Sequence, residues 1–118
     1  MVLRLTYGGR SVLLTGDIER EAETYLQWEQ PAAIVADVVK VPHHGSSGAS
    51  SAAFVDATRG TLAVISCGRD NRFQFPARAV ERRWSALGTV HRTDRQGRAS
   101  VEISKGGELR YFSRCYSH

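Results

Sequence analysis

Two short segments hold side chains whose type and placement could do chemistry: Leu13-Leu14-Thr15-Gly16-Asp17 and Val41-Pro42-His43-His44-Gly45-Ser46. In each, an apolar run passes into a Gly-containing loop, which is how an α/β scaffold presents a rigid site at its rim. A carboxylate such as Asp17 at a strand end can bridge two metal ions about 3.5 to 4 Å apart, as two-metal hydrolysis requires. Neutral imidazoles from His43 and His44 can ligate metal, and the Ser46 hydroxyl can reach an anion. The competing reading makes Asp17 the N-cap of a following helix and the histidines ordinary satisfied polar side chains. On an extended segment adjacent side chains point opposite ways, so both histidines are not expected on one ion. His44 is the expected ligand, with His43 left to support it or to meet substrate.

The elements that must carry these residues follow from periodicity. Leu3, Leu5 and Tyr7 alternate with polar residues, and Gly8-Gly9 turns the chain into Ser11 to Thr15, a hairpin with a more buried second strand. Ile18, Ala22, Tyr25 and Leu26 recur at helical spacing, with Glu19, Glu21 and Glu23 facing elsewhere, which predicts an amphipathic helix over 18–29 that Pro31 ends. Ile34 to Val41 is β-branched and apolar, the signature of an interior strand closed by Pro42. Ser50 or Ser51 caps a short helix carrying Phe54 and Val55, and Thr61 to Ser66 is a second interior strand. Val80, Trp84 and Leu87 mark a helix over 77–87 ending at Gly88. The remainder predicts a β-meander of Thr89 to Thr93, Ala99 to Ser104 and Leu109 to Phe112.

A chain of 118 residues with 42% apolar and 24% charged side chains suits one globular unit. No apolar run approaches the roughly 20 residues of a membrane span, and the N-terminus lacks a signal-peptide layout. Cys67 and Cys115 are too isolated for a zinc knuckle or a disulfide framework, and Cys67 reads as a small strand-end residue. The net charge of +4 is unevenly spread, because Arg69, Arg72, Arg78, Arg82, Arg83, Arg92, Arg95 and Arg98 are met by only three acids between positions 69 and 98. Such a block can meet a phosphate backbone, or it can simply be a solvated helix face with two loops.

Taken together, the two opening segments, Ala36-Asp37 before the second of them, and Val64-Ile65-Ser66 with Gly68-Arg69-Asp70-Asn71 and Pro76 resemble the carboxy-terminal metallo-β-lactamase-like domain of ComEC-type competence proteins. The likeness runs from Leu3 to about Ser104. It implies an α/β fold in which residues 1–118 form the C-terminal half of an αββα sandwich, as a mixed sheet with helices and a closing meander. It further implies a dinuclear zinc- or manganese-type centre, hydrolysis of phosphodiesters by metal-activated hydroxide, and DNA as the substrate during uptake. Asp17 would be the bridging metal ligand and His44 a terminal one, with His43, Ser46 and Asn71 lining the site and Arg69 and Arg72 toward the polyanion. The resembling proteins sit in the bacterial inner membrane, which makes this segment a soluble domain of such a parent.

The chain departs from that pattern at two places. Nothing before Leu3 supplies the His-x-His-x-Asp-His or His-x-Asp-x-Asp-His motif that brings the first metal ligands, so the rest of the site is expected from a missing N-terminal half. Where relatives end a loop in Gly-His-Pro, this chain reads Gln74-Phe75-Pro76, and a phenyl ring cannot ligate or donate a proton. Phe75 is expected instead to pack on Trp84 or Phe73. Alone, the chain is expected to bind metal weakly and catalyse little. The alternative is a non-catalytic basic module that holds DNA or a partner chain without metal, and a third reading is a remnant that dimerises through exposed sheet edges.

Overall fold

The computed structural model describes residues 1–114, so Cys115 lies outside the described residues. Strands β1 (Leu3–Tyr7) and β2 (Arg10–Leu14) form the expected antiparallel hairpin. Helix α1 (Arg20–Glu29) then leads to β3 (Val38–Lys40), α2 (Ala52–Thr58) to β4 (Leu62–Ile65), and α3 (Arg78–Leu87) to β5 (Thr89–Arg92). Strands β2 to β5 pair in parallel, giving a five-stranded mixed sheet in the order β1-β2-β3-β4-β5. Parallel neighbours need a crossover connection, and each helix supplies one. A one-turn helix α4 (Thr93–Gln96) precedes an antiparallel pair, β6 (Arg98–Ile103) and β7 (Leu109–Arg114), in a sheet of their own.

Side-chain alternation gives the main sheet two unlike faces. Leu13, Val39 and Ala63 stand in register, and with Val41 and Ile65 they pack against Phe54 and Val55 of α2 and Val80 and Trp84 of α3. That is the core, and its members are almost wholly buried. On the opposite face Val12, Val38 and Leu62 are in register. The β6–β7 pair reaches only part of this face: Tyr111 meets His91 there, and a shallow cavity of about 390 Å³ remains between Leu5, Tyr7, Val12, Val101 and Ile103. Leu3, Leu5 and Tyr7 stay about half exposed.

Four sequence-based expectations change. The strand expected over Ile34 to Val41 is confined to Val38–Lys40, because Pro31–Ile34 winds into a 3-10 turn. The meander is not formed: β5 lies parallel beside β4, carried there by α3, and only β6 and β7 pair as a hairpin. Helix α1 starts at Arg20 rather than residue 18, since Glu19 is extended and Ile18 packs on the core. Glu23 does not face outward but is completely buried. Its carboxylate accepts the backbone N–H groups of Ser50 (2.5 Å) and Ser51 (3.1 Å), which supplies partners that periodicity does not reveal.

Candidate metal centre

The parallel strands β2, β3 and β4 end together, and the loops after them converge. The Thr15 hydroxyl donates to the Lys40 carbonyl (2.5 Å) and His43 N–H to the Gly16 carbonyl (3.0 Å), which fastens the two motif loops to each other. Gly45 sits at φ +88°, and a Cβ there would come within 2.5 Å of the Pro76 Cβ. That contact needs glycine on both counts, and the Ala77 N–H to Gly45 carbonyl bond (2.9 Å) locks the loop after β4 onto the histidine turn.

His43 and His44 do not lie on an extended segment. Both adopt left-handed backbone conformations, at φ +49° and +56°, within the turn Pro42–Gly45. Each left-handed non-glycine residue costs on the order of 1 kcal/mol, so the surrounding contacts must hold this turn in place. The rings meet edge to face with centroids 6.4 Å apart and turn to different carboxylates. His43 Nδ1 is 3.0 Å from Glu19 Oε1, out of line for a hydrogen bond, and His44 Nε2 is 3.5 Å from Asp17 Oδ1.

The chemistry of the second pair is specific. His44 Nδ1 donates its proton to the Ser66 carbonyl (2.7 Å), and a neutral imidazole then has only a lone pair at Nε2. That lone pair faces a carboxylate, which is also an acceptor, so a cation or a hydrogen-bond donor placed between them would suit both. Fixing one ring nitrogen on a backbone carbonyl while presenting the other is how proteins orient a metal-binding histidine. Asp17 does not cap α1, whose first turn lacks any side-chain cap at Glu19. Both Asp17 and His44 are substantially solvent-accessible. The pair thus fits two ligand positions, yet among the described residues no group of three or more His, Cys, Asp or Glu could hold a metal ion.

The other candidate residues divide by what they touch. Ser46 Oγ accepts the Gly48 N–H (3.2 Å), closing the turn beside the histidines. Asn71 is absorbed in its own loop: its amide nitrogen donates to the Gly68 and Phe75 carbonyls, and its oxygen accepts Phe75 N–H (2.7 Å). Phe75 stacks on Phe73, with centroids 5.3 Å apart and planes 15° off parallel, and its edge approaches His43 at 6.1 Å. The Arg72 guanidinium lies 5.1 Å from the Phe73 centroid, and Arg69 is exposed on the same loop. The arginine block does not act as one surface. Arg92 is largely buried between Asp94 (2.6 Å) and Glu81 (3.2 Å), and Arg83 donates to the Ser50 carbonyl. Residues that sequence reasoning missed are Glu19, beside His43, and Ser66, which orients His44. Ser66 acts through its carbonyl, so its side-chain type carries no signal.

No family model and no solved structure matches the chain. Among curated proteins it is 35% identical over 107 residues to "Competence protein ComA" of Neisseria gonorrhoeae, covering 90% of this chain and 16% of that protein. It is 41% identical over 80 residues to "ComE operon protein 3" of Bacillus subtilis, covering 68% of this chain and 10% of that protein. To "Recombination protein 2" of Haemophilus influenzae it is 38% identical over 82 residues, covering 70% of this chain and 10% of that protein. The chain therefore spans about a sixth or less of the length of the relatives it matches, and no helix among its described residues is long and apolar enough to cross a membrane. Over most of its length, the chain is related to one segment of these competence proteins.

Proposed function

We propose that this chain is part of a metal-dependent hydrolase of phosphodiesters, acting on DNA during competence, with a metallo-β-lactamase-like arrangement completed by other segments of the longer protein. The observation that carries this is the His44 lone pair, fixed by the Ser66 carbonyl and aimed at Asp17 3.5 Å away. Asp17 and His44 hold the divalent zinc or manganese, and remaining ligands come from outside the described residues. A divalent ion there supplies Lewis acidity and lowers the pKa of bound water toward neutrality. In this reading His43, beside Glu19, meets the substrate phosphate, and the exposed Arg69 and Arg72 meet the polyanion. The half-exposed Leu3, Leu5 and Tyr7 support a second layer packing on the open sheet face.

Manganese and zinc titration of the 118-residue chain, with Asp17→Ala and His44→Ala alongside, tests this reading. Weak binding that both substitutions abolish is expected, with little or no nuclease turnover by the isolated chain. Binding indifferent to either substitution would remove the proposed centre.

A second reading rests on the exposed cations Arg72, Arg78, Arg82 and Arg95. In it the chain is a basic module that holds DNA or a partner chain without metal. Undetectable metal binding together with salt-dependent DNA affinity weakened by Arg82→Ala would favour it.

A further inference from the structure

Beyond the ligand pair, a row of rings leads outward from the centre: His44, His43, Phe75 and Phe73, with successive centroids 6.4, 6.1 and 5.3 Å apart. Phe73, the outermost, is 61% exposed. Burial alone gives no reason for a large apolar side chain here, yet the loop is built to display it. Asp70 and Gln74 are both left-handed, at φ +50° and +57°, and Asn71 ties Gly68 to Phe75 with three hydrogen bonds. An exposed ring so firmly set is suited to stacking rather than to core formation.

The ground beside it has the matching character. A surface groove of about 650 Å³ runs from Asn71, Phe73 and Phe75 past Pro76 to Arg78, Arg92 and Arg95. Within it Arg92 is neutralised by Asp94 and Glu81, and Asp70 adds a negative charge on the wall. Inside the groove Asp70, Glu81 and Asp94 outnumber Arg92, which keeps phosphate off its floor, while Arg78 and Arg95 on its lining and Arg72 beside Phe73 are exposed cations. Stacked rings flanked by exposed guanidinium groups are the complement of a nucleotide, whose base stacks while its phosphates meet cations. The exposed Gln74 amide lies in the same groove, with a donor and an acceptor for a base edge.

We propose that Phe73, backed by Phe75 and flanked by Arg72, is a stacking platform that receives an unpaired nucleobase next to the Asp17–His44 centre, so that the site takes single-stranded nucleic acid in preference to duplex. The proposal rests on the phosphodiester reading above. Arg72 has a long exposed stem, and it yields the ring face to the base and turns to the adjoining phosphate. A duplex keeps its bases stacked inside and cannot offer one to the platform without paying for unpairing.

The test uses the 118-residue chain and three labelled probes of equal length: oligothymidylate, the same backbone with abasic sites, and a duplex, followed by fluorescence anisotropy over a salt series. The wild type should hold oligothymidylate roughly tenfold more tightly than the abasic strand. Phe73→Ala should erase that difference, Phe73→Tyr should keep it, and the salt slope should stay unchanged because phosphate contacts remain. Phe73 is exposed, so Phe73→Ala should melt with the wild type, and an unchanged thermal transition confirms it. Strand binding with no loss in Phe73→Ala, or an equal loss for the abasic probe, overturns the platform and leaves the phosphodiester reading standing. Failure of the wild type to bind any of the three probes likewise overturns the platform, while the metal titration above judges the phosphodiester reading separately.

Discussion

Glu23, on α1, closes its buried carboxylate over the backbone N–H groups of Ser50 and Ser51, the segment that leads from the histidine turn into α2. Ser50 is held from two further sides, its hydroxyl by Trp84 Nε1 (3.0 Å) and its carbonyl by Arg83 (2.9 Å). Glu23→Ala leaves one buried and one part-buried donor without a partner, which costs about 2 to 3 kcal/mol. The expected outcome is a fall in thermal midpoint of the order of 10 °C. Because the same loop carries His43 and His44, the proposed metal site predicts a fall in metal affinity as well, whereas Glu21→Ala, at an exposed position, should change neither.

His91 is a fully buried histidine away from the candidate centre. Its Nε2 faces the Gly97 carbonyl (2.9 Å) and its Nδ1 the Tyr111 hydroxyl, so the neutral ring donates to Gly97 and accepts from Tyr111. Tyr111→Phe strands the buried acceptor and should cost about 1 to 2 kcal/mol, read as a lower denaturation midpoint with an unchanged slope. The phenyl ring keeps its edge-to-face contact with His91, so the loss isolates the hydrogen bond.

Burial, and after it the charge of Asp94, push the Cys67 thiol up to about 11. Nucleophilic labelling needs the thiolate. At mildly alkaline pH, iodoacetamide should therefore modify the Cys67 peptide roughly 100-fold more slowly than an unperturbed thiol. Asp94→Asn removes part of the cause and should speed it.

At Asp94 burial favours the neutral acid, but the Arg92 hydrogen bonds and charge outweigh it and hold the carboxyl below its ordinary range. A carboxyl depressed in the folded state adds stability above its unfolded pKa, near 4, and loses it as pH falls through the lower folded value. The stability gap between wild type and Asp94→Asn, present at neutral pH, should accordingly close in strong acid. Denaturant titrations across that range would measure it, and a gap that widens on acidification would contradict the assignment.

Much of the scaffold was legible because local pattern and burial agree. The consecutive apolar residues around Leu13 and Val39 do lie in interior strands, and Val80 and Trp84 do form the buried stripe of α3. What escaped depends on partners distant in sequence. Glu23 looks like any helix-surface acid until the Ser50 backbone is placed beside it, and β5 looks like the first strand of a meander until α3 delivers it next to β4. In the candidate centre the residue types were readable, but the left-handed turn that aims the two imidazoles at separate carboxylates was not. Nor was the stacking of Phe75 on Phe73, rather than on Trp84, open to more than an even guess from spacing.

The left-handed turn has an evolutionary and engineering consequence. Glycine would occupy φ +49° and +56° without penalty, so His43→Gly or His44→Gly would relax the backbone at the very point where the site is assembled. Stability selection alone would drive this turn toward glycine. A screen of this chain for heat resistance would then collect variants that lack the paired imidazoles of this turn.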